Sequence, residues 1–278
     1  LSKRCAALPL AKCDAMTAPV LFVSHGSPTF AIDSGSSGPA LSAWAKAHAP
    51  AHSLKGVVIM SPHWMSTGIA VMTQPAPPTW HDFGGFPAAL YALQYPAPGC
   101  PALAQDILDL LSAAGLPAQP DAQRPFDHGA WVPMMHLYPQ ADVPMVQISL
   151  PASATPAQLY AIGQALSPLR DQGVLLVGSG SMTHNLSDIR REGGPAAVHV
   201  LAFSAWIEAQ LKAGDLQALL DYRARAPESA RVHPTDEHFV PIYFALGAAR
   251  WGQHPSVPVN YITREVMLGT LSMDAFSL

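Results

Sequence analysis

The chain has 278 residues and a formal charge of −4, with 49% hydrophobic and 12% charged residues, so a sizeable core is easily filled. No Lys/Arg cluster stands out and no apolar run approaches the roughly eighteen residues of a membrane span, which argues against nucleic-acid and membrane partners. Cys5, Cys13 and Cys100 are odd in number and form no Cys-x-x-Cys, so a disulfide framework is disfavoured and a reducing compartment, the cytoplasm, fits best.

Residues 1–15 carry basic residues and an interrupted apolar patch, and are expected to be a disordered extension before a fold that starts at Met16. Val20-Leu21-Phe22-Val23 then reads as a strand running into Ser24-His25-Gly26-Ser27-Pro28. A helix is expected over 39–49, with Leu41, Trp44 and Ala45 on one face. Val57-Val58-Ile59-Met60 reads as a strand buried on both faces, stopped by Pro62, which cannot donate to a ladder, and presenting His63 just beyond its end. Ile69–Thr73 is expected to be its neighbour in the sheet. Residues 74–100 form a long Pro- and Gly-rich loop with many aromatics, among them Trp80, Phe83, Phe86 and Tyr91. Such a loop suits the wall of a substrate pocket as well as it suits a satellite aromatic cluster.

Leu103, Ile107, Leu110 and Leu111 mark an amphipathic helix ended by Gly115. A short helix follows Asp127, through about Leu137, and 144–150 is a further strand. Thr155-Pro156 is an N-cap followed by proline at the first helical position, with Leu159, Ile162 and Leu166 on the core face. Val174-Leu175-Leu176-Val177 is a third buried strand, running into Gly178-Ser179-Gly180-Ser181-Met182-Thr183-His184. Helices are expected over 196–212, 215–222 and up to about Ala249, the last capped by Thr235 or Asp236. Strands and helices alternate without a break in composition, so the expected fold is one α/β domain with a central, mostly parallel or mixed sheet flanked by helices.

Twelve histidines are the anomaly in this composition. Any one of them is more readily a loop or core residue than a ligand. Three at the ends of three buried strands are harder to dismiss, because ligands in open α/β sheets gather beyond the carboxyl ends of the strands. Imidazole is a common ligand for zinc and iron, and without a Cys ligand set the expected metal site is catalytic, not structural. The segment 178–182 lacks a Gly-x-Ser-x-Gly elbow, and Thr183 stands where a dinucleotide fingerprint needs its third glycine. The residues alone thus point to a metal-dependent enzyme with a histidine-rich site and an aromatic pocket.

Taken in order, Ser24-His25-Gly26-Ser27-Pro28, Ser61-Pro62-His63-Trp64, Asp82-Phe83-Gly84-Gly85-Phe86-Pro87, Asp127-His128-Gly129-Ala130-Trp131-Val132-Pro133, Gly178–His184 and His233-Pro234-x-x-Glu237-His238-Phe239 form a specific set. The set resembles the DOPA-dioxygenase type of extradiol ring-cleaving dioxygenases, in the class III superfamily that includes the catalytic subunit of protocatechuate 4,5-dioxygenase. The resemblance spans nearly everything from Met16 onward and implies a catalytic domain over 16–278. It implies a non-haem Fe(II) enzyme that opens a DOPA-like catechol with O₂ beside the hydroxyls, giving a semialdehyde, and that can also hold zinc. His25 and His63 map onto the first two metal ligands, and His238 onto the third, with Glu237 as the fallback carboxylate. His184 maps onto the acid/base histidine and could serve as a fourth ligand in a zinc form. His128 is a second candidate for contact with substrate or oxygen. Two alternatives stay open: a zinc hydrolase on the same scaffold, and a metal-binding protein without turnover.

Overall fold

The computed structural model describes residues 17–190, 193–253 and 257–278. The expected disordered extension, 1–15, lies outside them. In chain order the first half contains β1 (Val20–Ser24), α1 (Ser37–His48), β2 (Gly56–Ser66), β3 (Ile69–Met72), α2 (Ala88–Tyr91), α3 (Pro101–Ala113), β4 (Ala118–Asp121) and α4 (His128–Leu137). The second half contains β5 (Met145–Pro151), α5 (Pro156–Leu166), β6 (Val174–Gly180), α6 (Val198–Ala213), α7 (Leu216–Leu220), α8 (Tyr222–Arg225), α9 (Ser229–Val232) and α10 (Pro241–Ala248), then β7 (Asn260–Thr263), β8 (Val266–Met267), β9 (Leu271–Ser272) and β10 (Ala275–Ser277).

Eight strands form one sheet in the order β4-β3-β5-β2-β6-β1-β10-β7, and β8 and β9 form a separate hairpin. The centre, β5-β2-β6-β1, is parallel, while β3 on β5, β10 on β1 and β7 on β10 are antiparallel. The fold is therefore α/β with a mixed sheet. The continuous apolar runs of β1, β2, β5 and β6 follow from burial on both faces. One core, with residues of α3, α5, α6 and α10, packs against one face of the sheet. A second, with residues of α1 and α4, packs against the other. α10 is buried along its whole length, which explains why it shows no polar stripe. Thr155 makes a full capping box with Gln158 at the start of α5.

Several local expectations need correction. β2 does not stop at Pro62 but continues to Ser66, because its pairing has already broken there. Its register with β6 ends at Met60 and Gly178, and its register with β5 is interrupted between Met60 and Met65. A missing N–H costs nothing where no ladder partner waits for it. Ile69–Met72 does not neighbour β2, since β5 lies between them. The helix expected over 215–222 divides into α7 and α8 at Asp221. α10 takes Val240 as its N-cap with Pro241 as its first residue, so neither Thr235 nor Asp236 caps it. β4 and the four strands after residue 259 had no counterpart in the sequence reading.

Candidate active site

His25 follows β1, His63 sits in the unpaired stretch of β2, His128 opens α4, His184 follows β6, and His238 precedes α10. The parallel order of β2, β6 and β1 delivers the first, second and fourth of these to one rim. Two glycines allow the close approach of the rest. A Cβ on Gly129 would stand 2.2 Å from Ser61 Oγ and 2.9 Å from His63 Cδ2, so only glycine lets the start of α4 meet β2. A Cβ on Gly180 would stand 2.1 Å from the His238 carbonyl oxygen. Its absence brings the 238 segment in, and the Ser181 N–H donates to that same oxygen at 2.7 Å.

At the centre, His63 Nε2 lies 3.2 Å from His25 Nε2 and 3.3 Å from His238 Nε2. The proton positions follow from what each ring's other nitrogen faces. Ser179 Oγ donates to the Gly129 carbonyl, so it accepts from His25 Nδ1–H at 3.0 Å. His238 Nδ1–H donates to Glu237 Oε1 at 2.9 Å. His63 Nδ1 faces Asp82 Oδ2 at 3.5 Å. Each Nδ1 thus carries the proton, and three Nε2 lone pairs converge with no hydrogen between them. Neutral lone pairs so placed repel one another unless a cation lies among them. Nitrogens about 2.0–2.1 Å from a tetrahedral ion would stand about 3.3–3.4 Å apart, so the donor set fits a metal. Burial, and after it the neighbouring His63 and His238, hold His25 well below the usual imidazole value. Burial and then His128 and His238 hold His63 down to about 2, against a weaker upward pull from Asp82.

Glu237 lies on the far side of His238 from this centre, at its Nδ1, and its carboxyl is held down to about 2, first by that hydrogen bond. His184 lies flat against His238, with ring centroids 3.6 Å apart and planes within 6°. Burial, and then His238, hold His184 down to about 3. Two further triads, with no residue in common, also gather ligand atoms within 4.8 Å: His25, His63 and His128, and His184, Glu237 and His238.

A cavity of about 260 Å³ opens onto these rings, lined by His63, His128, His184 and His238 and walled by Phe83, Phe86, Leu186 and Leu271. Of the four aromatics expected there, Phe83 and Phe86 line it. Tyr91 stands behind them, its ring 5.3 Å from Phe83, and Trp80 is turned toward the Arg124 guanidinium. Asp82, which the sequence does not single out, also belongs to the site. This carboxylate accepts from the His128 N–H at 2.8 Å and from its Nδ1 at 3.0 Å. Burial pushes the Asp82 carboxyl up, but the two hydrogen bonds it accepts from His128 and the neighbouring His63 ring outweigh it and leave it below the usual range. Its place in the Asp82-Phe83-Gly84-Gly85 segment beside an aromatic run was the available signal. His233 is fully buried, donates from Nε2 to the Met182 carbonyl at 2.9 Å and packs against Phe203 and Phe239, so it holds the fold together away from the cavity.

The model of the family described as the catalytic LigB subunit of aromatic ring-opening dioxygenase matches residues 19–269. The chain belongs to this family and is an extradiol dioxygenase, an oxidoreductase. Among its relatives, the 4,5-DOPA dioxygenase extradiol of Beta vulgaris is 40% identical over 82% of this chain and 85% of its own length. The protein of the same name from Escherichia coli K12 is 37% identical over 92% of both chains. The crystal structure of an uncharacterized Escherichia coli K12 protein superposes with a TM-score of 0.73 at 29% identity, covering 94% of this chain and 99% of that one. Among the described residues no helix is long and apolar enough to cross a membrane.

Proposed function

We propose that the chain opens the ring of a DOPA-like catechol with O₂, next to the hydroxyls, giving a semialdehyde, and that Fe(II) is the working metal. The catalytic domain in this reading is 16–278. The observation that carries it is the convergence of three Nε2 lone pairs from His25, His63 and His238, each with its Nδ1 proton directed at an oxygen. These three would hold the ion on one side and leave the cavity side to substrate. Bound there, Fe(II) would supply a Lewis acid for the catechol hydroxyls and a route for electrons to O₂. The position of Glu237 behind His238 supports the histidine over the carboxylate as third ligand. Zn(II) suits the same nitrogen set, with His184 as a fourth donor if its ring swings out of the stack.

His184 lines the cavity with a neutral imidazole, so a ring nitrogen offers a lone pair to a substrate hydroxyl, and the low basicity that burial gives it favours prompt return of the proton it takes. His128 donates a hydrogen bond from its Nδ1–H to Asp82, which leaves the lone pair at Nε2 for a hydroxyl or for O₂. Phe83 and Phe86 give a flat ring apolar walls and exclude water from it. Those walls and the two cavity histidines favour ring cleavage over zinc hydrolysis or a site without turnover. Among the described residues Cys100 is a free cysteine, which fits a reducing compartment such as the cytoplasm. Anaerobic reconstitution with Fe(II), followed by a screen of catechols for oxygen uptake and a yellow product, tests the proposal. Tight metal binding with no oxygen uptake on any catechol would overturn it.

A further inference from the structure

Behind the site, and outside the cavity, lies a buried ion pair that neither the ring-cleavage chemistry nor the metal ligation uses. Asp127 is fully buried, and Arg124 Nη2 donates to its Oδ2 at 2.6 Å. Gln147 Nε2 donates to the same oxygen. Asp127 Oδ1 accepts from Ser61 Oγ at 2.8 Å and from the Ala130 N–H at 3.1 Å. The Arg124 guanidinium lies over the rings of Trp64 and Trp80, 4.9 and 5.0 Å from their centroids.

Two contacts carry this pair to the site. Arg124 Nη2 also donates to the His63 carbonyl oxygen at 2.9 Å, and the His63 N–H donates to Ser61 Oγ at 3.2 Å. His63 stands where β2 has lost register with both neighbours, so the Arg124–Asp127–Ser61 network holds the backbone groups a ladder would otherwise fix. On its other side, Asp127 is the N-cap of α4, whose first residue is His128. One carboxylate therefore braces the segments that carry both His63 and His128.

We propose that Arg124 and Asp127 are positioning residues, setting His63 for the metal and His128 for the cavity. The inference rests on the reading of His63 as a ligand. A planar guanidinium suits the task better than an ammonium, because its fork keeps a fixed direction while its face is held by two indoles. Partners that orient metal ligands change metal affinity or activity by about tenfold to a hundredfold when they are replaced.

The test measures Zn(II) affinity by chelator competition and the visible spectrum of the Co(II)-substituted protein. The proteins are wild type, Arg124→Gln, Arg124→Lys and, as a destabilised control, Tyr243→Phe, which loses only a buried bond to the Leu219 carbonyl. Arg124→Gln is expected to weaken Zn(II) binding about tenfold to a hundredfold and to alter the Co(II) spectrum. Arg124→Lys keeps a charge beside Asp127 and secures a folded variant if the glutamine variant does not fold. It is expected to recover part of the affinity and still bind at least about fivefold more weakly than wild type. Tyr243→Phe should lower the melting temperature and leave affinity and spectrum unchanged. Zn(II) affinity and Co(II) spectrum unchanged in the folded Arg124 variants would overturn the proposal and leave the pair a brace of the core alone. His63→Ala, measured beside them, separates the two readings: if it keeps Zn(II), the ligand assignment fails first.

Discussion

His184 and His238 are stacked face to face, 3.6 Å between ring centroids and 6° between planes. An imidazole lone pair lies in the plane of its ring. An ion on the lone pair of His238 therefore lies out of the plane of His184, and this arrangement separates the two in role. His184→Phe keeps an aromatic ring against His238 and removes the nitrogens. The variant is expected to keep its metal and lose turnover by about a hundredfold to ten-thousandfold, the worth of a positioned acid/base. Metal analysis beside single-turnover kinetics checks it; loss of the metal would make His184 a ligand instead.

His63→Ala removes the nitrogen that stands between the other two. Metal affinity is expected to fall by more than about a hundredfold, beyond what an outer partner contributes, and activity with it. Full metal occupancy in dialysed variant protein would exclude His63 from the ligand set.

Asp82→Asn replaces a carboxylate oxygen by an amide donor between two Nδ1–H groups. The His128 ring loses its orienting acceptor or the His63 ring does, depending on how the amide turns. Turnover is expected to fall about tenfold to a hundredfold with the fold retained. A folded Asp82→Asn protein with wild-type kcat and KM would show that neither ring needs the charge.

Acid should destabilise the metal-free protein over a defined window. Unfolded, His233 takes a proton near pH 6.5; folded, burial holds it down to about 4. Between these values the unfolded chain binds more protons, so stability is full above pH 6.5 and falls as the pH drops toward 4. For His233 alone the interval corresponds to about 3 kcal/mol, and His25 and His184 act in the same direction. His233→Gln keeps a donor for the Met182 carbonyl and removes the titration. Its melting temperature should fall less steeply between pH 6.5 and 4 than that of wild type, and equal slopes would show that the histidine is not responsible.

The parts of this molecule that could be read from its sequence are those whose physics is local. β1, β2 and β6 announce themselves because a strand buried on both faces must be apolar throughout, and their ends led directly to His25, His63 and His184. His238 sits in a polar loop before a helix, so periodicity could not single it out, and only the ordered motif set pointed to it. The neighbour of β2 is not legible in the sequence, because strand pairing depends on contacts far apart in the chain. β4, with the sequence Ala-Gln-Pro-Asp, has no apolar signal at the edge it occupies, and β8, β9 and β10 are only two or three residues long. Asp82 and the Arg124–Asp127 pair stay hidden in the sequence for a related reason. A charged residue in a loop reads as solvated until the fold shows what it faces.

The three converging nitrogens are far apart along the chain: 38 residues separate His25 from His63, and 175 separate His63 from His238. A polypeptide emerging from the ribosome has the first two early but cannot close the cage until α10 has been made and packed behind β6. Chains dominated by such distant contacts assemble slowly, and the large core that drives this assembly needs no ion. Loading is then a late event on a finished scaffold, in contrast to small metal-dependent domains, where binding and folding are one transition. In a cell short of the metal the protein would accumulate folded and ready, and a returning supply would switch it on without new synthesis.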